Sequence, residues 1–221
     1  MSTKAHFIRG SIQRVEIDEF LSKELKKAGY AGVDLQKTAL GTNVIIYASK
    51  PGLVIGRRGR NIQQLMEILE KRFKVENPQI SVQETEKPEL NARVMANRLA
   101  TELERGANYR RASYFILRRI MSAGALGCEI IISGKITSQR AKYRKFRQGV
   151  LVKCGEPADK YVEEAVAYAL LKPGVMGVKV RIMLPNTVMP DAVEVKKEKI
   201  ETAEAGNVEV VEDEKRQEEV T

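Results

Sequence analysis

Apolar positions recur along this chain with a helical period in some segments and an alternating one in others, and the switches between the two predict its elements. Ile17, Phe20, Leu21, Leu25 and Ala28 share one helical face, and Gly29 follows as a stop signal. VDLQKT, residues 33–38, alternates Val33 and Leu35 with polar neighbours, while NVIIYAS, residues 43–49, is a β-branched run, so two strands joined by the turn LGT are expected. Lys50, Pro51 and Gly52 then punctuate the pattern, and Leu53, Val54 and Ile55 make a short helical turn. Ile62, Leu65, Met66 and Leu69 recur at i, i+3, i+4 and i+7, which predicts an amphipathic helix to about Lys71. Asn77 and Pro78 end it, and Ile80 and Val82 alternate in a further strand over residues 79–83.

A second unit starts at Lys87 and Pro88, with the proline suited to a first helical turn. Ala92, Met95, Ala96, Leu99 and Leu103 form one buried face, and Gly106 breaks the run. Another helix, from about Asn108 to Ala123, is expected to bury Ala112, Phe115, Ile116 and Ile120 and to stop at Gly124. Strands are predicted at Leu126 to Ser133 and at Val150 to Cys154, and a half-buried one through Val178, Val180, Ile182 and Leu184. Tyr161 to Lys172 is ambiguous, because its glutamates and alanines favour helix whereas its place between strands favours an extended segment. The resulting division is a basic arm at 1–15, one domain at 16–86, a second at 87–190 and a tail at 191–221.

Charge changes this picture most. The 38 Lys and Arg exceed the 29 Asp and Glu, giving a formal +9. The tail from Asp191 holds 11 acids against 5 bases, so residues 1–190 carry 33 bases and 18 acids, a formal +15. An excess of that size points to a polyanionic partner, since each cation that neutralises a phosphate releases condensed counterions. The tail, rich in glutamate and without aromatics, reads as disordered. Neither an amphipathic anchor nor a lipidation site accompanies the charge, MSTKAHFIRG lacks the apolar core of a signal peptide, and no apolar run is long enough to span a bilayer. A soluble cytosolic protein with no membrane partner is therefore expected. Cys128, Cys154 and His6 show no metal-ligand spacing, and both cysteines sit among apolar residues, so buried inert thiols and no metal or cofactor are predicted.

Three constellations are left to meet the polyanion. In LVIGRRGRNI, residues 53–62, Gly56 and Gly59 let a sugar-phosphate backbone approach closely, Arg57 and Arg58 add charge, and a helix beginning near Arg60 presents its first N–H groups. On the second helix of the second unit, Arg111, Tyr114 and Arg118 fall at i, i+3 and i+7 beside Arg110, and only Glu104 is near enough in sequence to pair with them. GKITSQRAKYRKFRQG, residues 134–149, carries Lys135, Arg140, Lys142, Arg144, Lys145 and Arg147 without an acid, interleaved with Tyr143 and Phe146. As a hairpin-like excursion it is too cationic for a core, and its mixture of cations and rings suits phosphates and unstacked bases.

VIGRRGRNI resembles the K homology (KH) signature V-I-G-x-x-G-x-x-I, and the order of helix, two strands, signature helices and strand is similar to the type II KH topology. Nucleotide-hydrolysing loops fit poorly, because neither GxxxxGK[ST] nor a strand followed by GxGxxG occurs. Together with KPEL, YRRA, SGK, RAKYRKF and GVMGVKVRIMLP in that order, the chain resembles the universal family of small-subunit ribosomal protein number three, in its archaeal form, over about residues 1–190. The resemblance implies an α+β protein, a type II KH domain followed by two helices packed on a four-stranded sheet, and so favours a strand at 161–172. It also implies a non-catalytic protein of the small-subunit head that binds rRNA, contacts neighbouring head proteins and lines the entrance through which mRNA is drawn. Arg110 and Arg111 would face incoming mRNA and take part in unwinding it. Many bacterial members carry a lysine three residues after that pair, where this chain has Tyr114, with Arg118 one turn on as a substitute cation. Two other functions compete: a free KH factor for mRNA or a regulatory RNA, and a nucleic-acid lyase or nuclease with a nucleophile such as Lys135.

Overall fold

The structure, a computed structural model, describes residues 3–38, 41–185 and 187, with side chains from residue 7 onward. The acidic tail, the His6 side chain and Leu40 of the expected LGT turn lie outside the described residues. The fold is α+β, with a three-stranded domain first and a two-layer, four-stranded domain after it.

The first helix, α1 (Thr3–Glu24), begins well before the expected Ile17 and runs into a 3₁₀ turn at Lys26–Ala28. Then come β1 (Tyr30–Thr38), β2 (Gly41–Ala48), the short α2 (Pro51–Ile55), α3 (Arg60–Phe73) and β3 (Pro78–Glu84). β2 lies between the others, antiparallel to β1 and parallel to β3. Ile17 and Leu21 from α1, Leu25 just after it, and Leu65 and Leu69 from α3 cover one face of this sheet, burying Tyr30, Val44 and Ile46 between them. The two helical stripes read from the sequence are thus the two sides of one core.

The second domain is α4 (Ala92–Glu104) and α5 (Tyr109–Ser122) on a sheet ordered β5-β4-β7-β6. Its strands are β4 (Gly127–Gly134), β5 (Lys142–Gly149), β6 (Val162–Leu171) and β7 (Gly174–Met183), with a short α6 (Glu156–Tyr161) before β6. Every pairing is antiparallel. Ile130, Ile132, Val178, Val180 and Ile182 face the helices and meet Met95, Leu99, Ile116 and Ile120. Tyr161 to Lys172 resolves into the end of α6 and the strand β6, because half of its residues must alternate toward Val178 and Val180 on β7.

Four local expectations fail for identifiable reasons. α4 does not have Pro88 in its first turn but starts after Asn91, whose carboxamide oxygen accepts from Arg93 N and Val94 N, both at 3.1 Å. Phe115 is 58% exposed, because the face of α5 laid on the sheet is centred on Ala112, Ser113, Ile116, Leu117 and Ile120. Val150 to Cys154 is not a strand. Gly149 turns the chain at φ 75°, Val150 N donates to Leu126 O at 3.0 Å, and a Cβ on Gly127 would stand 1.9 Å from Val150 O, so the segment folds over the sheet end. The strand is instead the cationic stretch Lys142–Gly149, on an edge where its side chains need not be buried. Cys154 on the turned segment is exposed, whereas Cys128 is buried, and that burial, helped by the Glu129 charge, pushes its thiol up to about 12.

Two polar joints complete the packing. Arg93 Nη1 donates to both oxygens of Asp18, at 2.8 and 3.0 Å, which ties α4 to α1. On the sheet face away from the helices, Glu129 is 1% exposed, with Lys153 at 3.2 Å and Lys145 and Arg181 each at 3.6 Å. Burial raises the Glu129 pKa, but the hydrogen bond from Lys153 and the charges of Lys153, Lys145 and Arg181 outweigh it and hold the carboxyl below its ordinary value.

Replacing Arg93 by Ala removes a charge-assisted pair from a half-exposed site, so urea unfolding should show a loss of about 1–2 kcal/mol. A double-mutant cycle with Asp18→Ala should return most of that loss as coupling energy. Because folding favours ionised Glu129, its stabilisation is complete above the ordinary carboxyl value of 4.5 and is lost as pH falls through the lower native value. The Glu129→Gln protein should accordingly lose less of its urea midpoint than the parent between neutral pH and the acid range.

Candidate nucleic-acid interface

The GRRG loop is shaped by its own neighbours. α2 ends at Gly56, with φ 71° and ψ 179°, and Asn61 Nδ2 reaches back from α3 to donate to Leu53 O at 3.2 Å. A Cβ on Gly56 would lie 2.5 Å from the Asn61 carboxamide carbon, so the loop needs glycine there for space as well as for backbone freedom. Arg58 also takes a left-handed conformation, φ 54°, followed by Gly59 at φ 71°. The turn exposes Arg57, Arg58 and Arg60, and among the described residues none of them has a carboxylate partner. No side chain caps the start of α3, so its leading N–H groups and positive dipole end stand beside these guanidiniums.

The second surface is formed where α5 meets the edge strand β5. Asn108 caps α5 by accepting from Arg110 N at 3.0 Å, which starts the helix at the YRRA segment. Arg111, Tyr114 and Arg118 face outward with Phe115, while Arg119 turns to Glu89, its Nη2 at 2.8 Å and its Nε at 3.1 Å from the same oxygen. Glu104, the acid closest in sequence to the arginines, is engaged elsewhere: it accepts from Lys26 Nζ at 3.0 Å and from Leu170 N at 3.3 Å. Arg110, Arg111 and Arg118 have no ion-pair partner among the described residues.

Strand geometry divides the cationic run of residues 134–149. Lys135 and Arg140 stand exposed in the β4–β5 connection. Within β5, the register puts Lys142, Arg144 and Phe146 opposite Gly134, Ile132 and Ile130 on the helix side, and Tyr143, Lys145 and Arg147 opposite Ser133, Ile131 and Glu129 on the other. The four cations of β5 therefore serve two faces, and Lys145 is drawn toward buried Glu129.

On the helix side Phe146 meets two rings of α5. Tyr114 lies edge-on to it, with centroids 5.2 Å apart and planes at 75°, and Tyr109 is 6.5 Å away at 56°. Arg110 Nε donates to the Tyr109 hydroxyl at 3.0 Å, and its guanidinium carbon is 5.7 Å from that ring. Tyr109, Arg110, Tyr114, Arg144, Lys145 and Phe146 enclose a cleft of about 300 Å³. Sequence reasoning missed Tyr109, which had a legible place in the first turn after Asn108 but no local reason to meet Phe146. It also missed Asn61, whose backward bond spans only the glycine loop.

Among the described residues no helix is long and apolar enough to cross a membrane. The family model of the KH domain matches residues 16–90, and that of the ribosomal protein S3 C-terminal domain matches residues 99–182. Relatives named small ribosomal subunit protein uS3 align over most of the chain. The one from Saccharolobus solfataricus is 54% identical across 82% of this chain and 80% of its own length. For Sulfolobus acidocaldarius the identity is 50%, covering 93% of this chain and 88% of the relative, and for Methanobrevibacter smithii it is 49%, covering 94% and 83%.

If the loop arginines meet phosphates, Arg57→Ala with Arg58→Ala should weaken RNA binding at low salt and reduce the slope of log affinity against log salt by about 1.4, the value for two single-strand phosphates. Filter binding across a salt series measures both quantities, and an unchanged slope would assign these cations no phosphate contact.

Proposed function

The chain belongs to the small ribosomal subunit protein uS3 family, and on that premise we propose that it is a non-catalytic RNA-binding protein of the small-subunit head, holding rRNA and lining the mRNA entrance in the cytoplasm. The observation that carries this reading is the shoulder of α5 and β5. There Arg110, Arg111, Arg118 and Arg144 stand exposed without carboxylate partners among the described residues, a cationic wall that asks for phosphates. The GRRG loop adds a second anion site of a different kind, made of backbone N–H groups as much as side chains.

The mechanism is electrostatic positioning. Fixed guanidiniums contact successive phosphates of a single strand and hold it in preference to a bulkier duplex, while other parts of the ribosome drive movement. Arg57, Arg58, Arg60, Lys135, Arg140, Lys142 and Arg147 extend the cationic surface toward rRNA or mRNA, and Tyr143 is available to stack on a base. Contacts with neighbouring head proteins have apolar ground to use: Ile8, Ile12 and Val15 are exposed along α1, and Val166, Tyr168, Leu170 and Val175 along the outer face of β6 and β7.

Arg110→Ala with Arg111→Ala should leave small-subunit levels normal while lowering translation of messages structured just downstream of the entrance, measured with paired structured and unstructured reporters. Equal translation of both would remove the role at the entrance. Sedimentation through a stringent salt wash tests the assembly itself, for a free KH factor would stay at the top of the gradient.

A further inference from the structure

The cleft between α5 and β5 has a composition that phosphate binding alone does not require. A site for phosphates needs only its cations, and a site for an apolar ligand has no use for Arg110 and Arg144. Here three rings and two unpaired arginines surround one cleft of about 300 Å³, with no acid among the lining residues. Tyr114 is 55% exposed, yet it is held edge-on by Phe146, which in turn rests against Tyr109. Such a ring offers an open face whose orientation is already fixed, so docking a planar ligand on it costs little ordering.

We propose that this cleft is a stacking site for one unpaired nucleobase of single-stranded RNA, with the Tyr114 ring as its platform and Arg110 and Arg144 holding the flanking phosphates. The proposal rests on the reading of this face as RNA-facing and specifies what it takes. In a duplex both faces of each base are covered by neighbours, so only a strand already opened can enter. The wall of arginines attracts any RNA, whereas the cleft retains the single strand. Its lining presents rings and cations rather than a fixed set of donors and acceptors for base edges, so it should tolerate any base.

The test uses the full-length protein and two single-stranded oligomers of equal length and charge, one of oligouridine and one with abasic riboses at its central positions. Fluorescence anisotropy should show tighter binding to oligouridine by roughly fivefold or more, as expected for one base stacked on an aromatic ring. Tyr114→Leu keeps apolar bulk but removes the ring, and should erase that preference while leaving the salt slope unchanged. Tyr114→Phe should keep the preference. Since Tyr114 is largely exposed, unaltered circular dichroism of both variants is expected and serves as the folding control. Equal binding of the two oligomers by the parent protein overturns the stacking site and leaves the electrostatic reading intact. A preference that survives Tyr114→Leu overturns it as well, by placing the stacking elsewhere. Failure to bind either oligomer at low salt overturns both readings together.

Discussion

Tyr30 is fully buried at the start of β1, and its hydroxyl donates at 2.6 Å to Asp18, the same carboxylate that receives Arg93 from the second domain. A buried phenol must find a partner, and this one finds an anion that also needs a cation. Burial, then the hydrogen bond to Asp18 and its charge, raise the Tyr30 pKa, so the hydroxyl stays a donor. Arg93 completes the set by lying 5.6 Å from the Tyr30 ring centre. Lys26 adds a second strap, bonded to Glu104 and to Tyr168 O at 3.2 Å. These joints fix the spacing between the two cationic surfaces.

Several acids of this basic body are engaged in packing. Asp18 and Glu104 join the domains, Glu89 holds Arg119, and Glu129 anchors Lys153 of the segment that turns away from β5. Glu164 pairs with Lys179 and Arg181 across β6 and β7. These carboxylates serve cations engaged in packing, and the outward arginines of α5 and the glycine loop are left without them. The electrostatic asymmetry of the surface thus follows from where the fold needs its negative charge. An unpaired cation near others of its sign raises the energy of the isolated protein, and a polyanion relieves it.

Much of this was legible in the residues themselves. Helical stripes such as Ala92, Met95, Ala96, Leu99 and Leu103 reported the core because one face of a helix must be buried against something. The glycine loop was equally plain, since its backbone shape is written into Gly56 and Gly59. Where burial was only partial the pattern weakened. β5 lies at an edge, buries little but part of Phe146, and carries no alternating apolar signal. The neighbouring Val150 to Cys154 looks like a strand yet buries only Leu151.

By itself, then, the sequence determined the two domains' main helices and inner strands, the excess of positive charge and the glycine loop, all of which follow from short-range spacing and composition. The tertiary structure alone decided which cations remain unpaired, which face of β5 each of its residues serves, and that Tyr109, Tyr114 and Phe146 enclose one cleft. Those outcomes depend on strand register and on acids distant in sequence, such as Glu104 turning to Lys26 across 78 positions. A contact of that separation leaves no period in the chain, because it exists only once the intervening segments have packed.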